Sequence, residues 1–142
     1  MRGYTSKSLK ETEHLAEKFL LTLSPKKKAI VVGLCGDLGS GKTAFVKMVA
    51  KILGVKGHVT SPTFVIQKNY SLKEKNFSTL AHIDAYRLKE GEDLLSLSWN
   101  DTLEGNNLVF IEWPERVLSA LPKGIKKIYF EFIDDTTRNI RF

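Results

Sequence analysis

A single cysteine in 142 residues excludes a disulfide framework and leaves no cluster of thiols for zinc. Cys35 is expected as a small buried residue at the end of a strand. No apolar run approaches the length that crosses a bilayer, and Met1 to Ser6 contain no apolar segment of the kind that heads a secretory signal. A soluble, cytoplasmic chain with no membrane role is the expectation. Internal repeats and long low-complexity linkers are also missing. Residues 1–142 are therefore expected to form one domain, long enough to bury about two thirds of the surface that the unfolded chain exposes. The net charge of +6 admits a nucleic acid, a phosphorylated ligand or an acidic surface as partner. The lysines fall in groups (Lys26-Lys27-Lys28, Lys73 with Lys75, Lys123 with Lys126-Lys127), without interleaved aromatics that stack on bases. Solvated surface lysines are the default reading.

What the chain does hold is Gly36-Asp37-Leu38-Gly39-Ser40-Gly41-Lys42-Thr43, which fills the pattern of Gly, four residues, Gly, Lys and Ser or Thr. In that pattern consecutive backbone N–H groups curl into a nest around a polyphosphate, and side chains at the closest approach would block it. Lys42 reaches the β- and γ-phosphates as a compact cation, and the Thr43 hydroxyl is placed for a Mg²⁺ bridging the same oxygens. The context agrees. Ala29 to Cys35 is an almost unbroken apolar run, as in a strand buried on both faces of a parallel sheet. Downstream, Phe45, Val46, Val49, Ile52 and Leu53 recur at helical spacing, with Gly54 as a stop.

Ser8 with Glu11 three residues later predicts a capped helix start, and Leu9, Thr12, Leu15, Ala16, Phe19, Leu20 and Leu23 repeat at helical intervals up to Ser24-Pro25. Thr12 is the one polar side chain on that stripe. Its hydroxyl either bonds the preceding turn or touches something bound nearby. Val59 to Phe64 concentrates hydroxyls and reads as a polar turn or as a nucleotide-sensing switch, leading into a strand over residues 64–67. From Thr79 to Arg87, period-two alternation puts His82, Asp84 and Tyr86 on one face and Ala81, Ile83 and Ala85 on the other. A desolvated carboxylate needs a partner. Asp84 therefore either pairs with Arg87 or acts as a catalytic or metal-proximal acid.

Lys89 to Leu95 begins a short helix with an acidic head. Leu108-Val109-Phe110-Ile111 then ends in Glu112, the shape of a buried strand that delivers one acid to the metal beside a phosphate loop. Trp113 walls the site or packs. Two last strands, 125–133 and 139–142, are joined by the polar turn Asp134 to Thr137 and are expected to form an antiparallel hairpin. The fold class expected is α/β: one P-loop NTPase-type domain, with a mostly parallel central sheet, flanking helices and that C-terminal hairpin.

The glycine loop, Ser61-Pro62-Thr63-Phe64, His82-Ile83-Asp84-Ala85-Tyr86-Arg87 and Ile111-Glu112-Trp113-Pro114-Glu115 together resemble the TsaE (YjeE) family of bacterial ATPases in tRNA threonylcarbamoyladenosine biosynthesis. The order and spacing of these stretches fit over nearly the whole chain. The resemblance implies ATP and Mg²⁺ as cofactors, with residues 36–43 on the nucleotide and Thr43 and Glu112 on the metal. It also implies that Asp84 is needed for hydrolysis, that Ser61 to Phe64 is switch-like, and that Thr12 and Arg138 flank the nucleotide base. The implied partners are TsaD and TsaB, with tRNA met indirectly through their complex and the isolated chain a monomer. Ala85 departs from the family, which usually has a larger apolar residue there.

Two other classes share parts of this pattern. A small-molecule or nucleoside kinase shares the loop, metal and acid but needs a lid and arginines for the transferred group; this chain has four arginines besides Arg2 and no lid insertion. A non-enzymatic tRNA-binding scaffold stabilised by nucleotide would suit the charge and leave Asp84 and Glu112 unexplained.

Overall fold

In the computed structural model, which describes residues 1–57, 59–62, 66–73 and 76–142, β1 (Gly3–Ser6) and α1 (Leu9–Leu21) lead to β2 (Ile30–Cys35) and α2 (Lys42–Ile52). There follow β3 (Gln67–Ser71), β4 (Thr79–Asp84), α3 (Gly91–Leu95), α4 (Trp99–Glu104) and β5 (Asn107–Glu112). Two 3₁₀ turns, Pro114–Arg116 and Leu118–Ala120, precede β6 (Lys126–Phe132) and β7 (Arg138–Arg141).

The strands form one sheet in the order β1-β7-β6-β2-β5-β4-β3. Its middle is parallel: β6, β2, β5 and β4 run the same way, because each connection between them carries helix or 3₁₀ segments across a face. The edges are antiparallel, with β6 and β7 forming the expected hairpin and β3 returning along β4. Thus the expected α/β architecture is present, with a larger antiparallel share than the hairpin alone because β1 adds itself to β7.

Alternation along the strands sorts two cores. Val32 and Leu34 of β2, Leu108 and Phe110 of β5 and Ile128 and Phe130 of β6 pack under α1 and α2 against Phe19, Phe45 and Val49. Val31, Ile83, Val109 and Ile111 face the opposite layer, where Trp99, Leu94 and Val117 cover them. Ala85 is buried in that second core, away from the loop. Trp99 is completely enclosed and donates from Nε1 to the Ala120 carbonyl at 2.8 Å, which pins α4 under the sheet.

The helix ends show why the segments stop where they do. Ser8 Oγ accepts from the Glu11 N–H at 3.1 Å, and the Glu11 carboxylate reaches back to the Lys7 N–H at 2.6 Å. The helix ends at Leu21 and not near Ser24-Pro25, because the Thr22 hydroxyl caps the Phe19 carbonyl at 2.6 Å and the chain turns there. α2 closes in a Schellman arrangement: Gly54, at φ 81°, donates to Lys51 O at 3.1 Å and Val55 to Ala50 O at 2.9 Å. The strand expected over residues 64–67 falls partly outside the described residues; β3 begins at Gln67.

Candidate functional site

Because β2 is buried on both faces and parallel to its neighbours, the loop after it opens at the carboxyl edge of the sheet, where β4 and β5 also end. Leu38 to Ala44, Ser61, Asp84, Tyr86, Glu112, Trp113 and Arg138 line a cavity of about 440 Å³ there. Gly36 and Asp37 stand behind it. A Cβ on Gly36 would lie 2.5 Å from the Phe130 carbonyl oxygen, and one on Gly41, which has φ +107°, would lie 2.8 Å from Arg138 Cδ. Gly36 is therefore required by its close approach to backbone and Gly41 by its left-handed φ, as the loop pattern predicts.

Lys42 is 5% exposed. Its ammonium donates to the Gly36 carbonyl and, at 2.9 Å, to the Asp37 carbonyl, and it stands 4.4 Å above the Trp113 ring. Burial pulls its pKa below the ordinary lysine value, and the carboxylates of Glu112, Asp84, Glu115 and Asp37 partly offset that.

Glu112 is 4% exposed and holds two partners. Thr43 Oγ1 donates to its carboxylate, 3.1 Å from Oε2 and 3.4 Å from Oε1, and His82 Nε2 lies 2.6 Å from Oε2. A carboxylate only accepts, so Nε2 carries the proton and donates. His82 Nδ1 is buried with no hydrogen-bond partner among the described residues. Asp84 is the register partner of Glu112 on the neighbouring strand. Its Oδ1 accepts from the Tyr86 N–H at 3.0 Å, which orients the carboxylate at the strand end.

Trp113 leaves β5 in the left-handed region at φ 59°, a strained turn that brings its ring 5.2 Å from that of Tyr86, over the loop. Arg138 donates from Nε to the Ser40 carbonyl at 3.2 Å. Ser40 Oγ is buried with no hydrogen-bond partner among the described residues. An unpaired hydroxyl in a loop of aligned N–H groups suits an anionic oxygen. Thr43 and Glu112 offer oxygens for a cation, and among the described residues no three His, Cys, Asp or Glu side chains gather as a metal cluster. Such a donor set fits a Mg²⁺ that takes its other ligands from phosphate and water.

Of the residues singled out in the sequence, 38–43, Asp84, Glu112 and Arg138 meet at this cavity, and Gly36 and Asp37 brace Lys42. Thr12 does not line it. That side chain is buried 2.8 Å from Ser6 Oγ, and both hydroxyls are within reach of the Ser8 carbonyl, so the local bond is the one made. Ser61 is on the cavity wall, while Thr63 and Phe64 lie outside the described residues. Cys35 is half-buried, and burial and Glu115 raise its thiol pKa. The partnership of His82 with Glu112 has no signature in sequence spacing. Only the alternation that put His82 on the polar face of its strand, combined with the register of two parallel strands, could have found it.

Three comparisons bear on this arrangement. The family model "Threonylcarbamoyl adenosine biosynthesis protein TsaE" matches residues 6–140. The tRNA threonylcarbamoyladenosine biosynthesis protein TsaE of Rickettsia bellii is 37% identical over 132 residues, covering 92% of this chain and 87% of that protein. The TsaE of Bacillus subtilis is 34% identical over 132 residues, covering 93% and 78%. The crystal structure of YdiB from Bacillus subtilis matches with a TM-score of 0.76 at 27% identity, over 98% of this chain and 82% of that one.

Proposed function

The chain belongs to the TsaE family of threonylcarbamoyladenosine biosynthesis proteins, and from that premise we propose that it is a Mg²⁺-dependent ATPase that assists a TsaB–TsaD complex in modifying tRNA. The observation that supports this most is the convergence of Lys42, Thr43, Glu112 and Asp84 on one cavity at the end of the parallel strands.

The loop N–H groups and the α2 N-terminus receive the phosphates. Lys42 moves its ammonium from the Gly36 and Asp37 carbonyls onto the β- and γ-phosphate oxygens, where its charge is matched. Thr43 and Glu112 would hold a Mg²⁺, which would neutralise the charge that develops on the phosphate oxygens. His82 fixes the Glu112 carboxylate from behind, so that its orientation is set before nucleotide arrives. The Asp84 carboxylate orients the attacking water and takes up its proton. Trp113 and Tyr86 exclude bulk water from the phosphate end. Among the described residues no lid insertion or arginine cluster is built for a second substrate, which favours water as the acceptor.

The experiment is ATP hydrolysis with Mg²⁺ by the chain alone, then with TsaD and TsaB of the same organism. Low turnover that rises with the partners, with no acceptor phosphorylated, is expected. Lys42→Ala should weaken nucleotide binding, whereas Asp84→Ala and Glu112→Ala should cut turnover by about 10² or more with less effect on affinity. Full turnover in both acid variants overturns the assignment.

A further inference from the structure

The positive charge of the chain is localised. Residues 22–31 and 121–127 contain six lysines and no carboxylate, and the remainder holds 16 basic side chains against 16 acidic ones. The whole net charge of +6 therefore sits in two short segments. The fold brings them together, because they feed the parallel neighbours β2 and β6 at the same edge of the sheet. Between them lies a cavity of about 470 Å³ whose wall includes Lys26, Lys123 and Lys126 and, among the described residues, no carboxylate. Lys28, nearby, is drawn to Glu104 at 3.5 Å, while Lys26, Lys123 and Lys126 are exposed. β2 runs from this edge to the glycine loop, which places the basic cavity and the nucleotide cavity at opposite poles, roughly 20 Å apart.

We propose that this pole is a docking surface for the phosphate backbone of RNA. A concave surface of one sign focuses its field and suits a polyanionic ribbon that can enter it. A flat bilayer cannot reach the apolar floor formed by Ile30 and Val31. Among the described residues no aromatic side chain lines the cavity, so bases are not stacked and binding is independent of sequence. The choice of RNA among polyanions rests on the relatives' place in tRNA threonylcarbamoyladenosine biosynthesis. It does not depend on ATP hydrolysis, and it goes beyond the indirect tRNA contact of the proposed function.

The test is binding of an unmodified tRNA transcript to the full chain by fluorescence anisotropy, without nucleotide, across a series of salt concentrations. Wild type is compared with Lys26→Gln/Lys123→Gln/Lys126→Gln and with a control of equal charge change, Lys47→Gln/Lys56→Gln/Lys89→Gln. Loss of three phosphate contacts should lower the slope of log K against log salt by about 2–3, and cost at least about tenfold in affinity at low salt. The control should stay within about twofold of wild type. Both variants should keep the wild-type melting temperature and nucleotide affinity. An RNA-binding defect is then separable from failure of the ATPase. Equal RNA binding by the triple variant and the control overturns the proposal. So does lysine-dependent binding of phosphatidylserine vesicles, or of the TsaD and TsaB proteins, by a chain that does not bind RNA.

Discussion

Replacing Glu112 probes stability and chemistry together. The side chain is 4% exposed and accepts from two groups, Thr43 Oγ1 at 3.1 Å and His82 Nε2 at 2.6 Å. In Glu112→Ala both donors lose their acceptor inside the fold, and an unsatisfied buried donor costs about 1–3 kcal/mol. Removing a buried carboxylate returns part of that, since its own desolvation is relieved. The expected net loss is about 2–4 kcal/mol. At about 3 °C per kcal/mol for a domain of this size, the melting temperature should fall by roughly 6–12 °C. Glu112→Gln keeps the shape and one acceptor but turns an N–H toward one donor, and should fall by about half as much. Differential scanning calorimetry checks both. A double-mutant cycle with His82→Phe should return a coupling of about 1–2 kcal/mol. If Glu112→Ala melts at the wild-type temperature, the hydrogen-bonded trio does not hold the site together, and the argument that His82 orients the carboxylate fails with it.

Lys42 gives a pH prediction. Its folded pKa lies below 10.5 because of burial, so the folded chain binds fewer protons than the unfolded one as the pH approaches that value. Stability should rise with pH in the window just below 10.5, and Lys42→Met should abolish that rise when melting is followed across it. Gly41→Ala should destabilise by about 1–2 kcal/mol in urea titrations. Because φ +107°, and not the movable Arg138 side chain, is the main obstacle, the same loss should persist in an Arg138→Ala background; full rescue there would assign the cost to the side-chain clash.

The parts of the fold legible in the sequence are those fixed by local rules. Unbroken apolar runs gave β2 and β5, helical periodicity and Gly54 bounded α2, and Ser8 with Glu11 marked the start of α1. The remainder is non-local. β1 is four residues with no aliphatic side chain, and it exists because Tyr4 and Thr5 pair with Ile140 and Asn139 at the far end of the chain. α4 starts after Ser98 in the left-handed region with no side-chain cap, so burial of Trp99 and not a start signal decides it. Two of the site acids were readable because strand ends are, yet their adjacency needed the register that sets Asp84 opposite Glu112. Thr12 depends on the same non-local placement: the polar group on the apolar stripe of α1 meets a hydroxyl of β1, Ser6, which spacing along the helix does not reveal.

β7 carries more than its share of the edge. It is held between β6 and the short β1, and its first residue, Arg138, is the one that grips the Ser40 carbonyl. Ribbons at a sheet margin are where a native protein breathes most easily. When this one peels, the guanidinium leaves with it and the glycine loop slackens. Anything that tightens the loop must, by thermodynamic reciprocity, oppose the peeling. The outer seam of the sheet therefore keeps time with the cradle at its centre, and amide exchange along Arg138 to Arg141 becomes a gauge of how firmly that cradle is held.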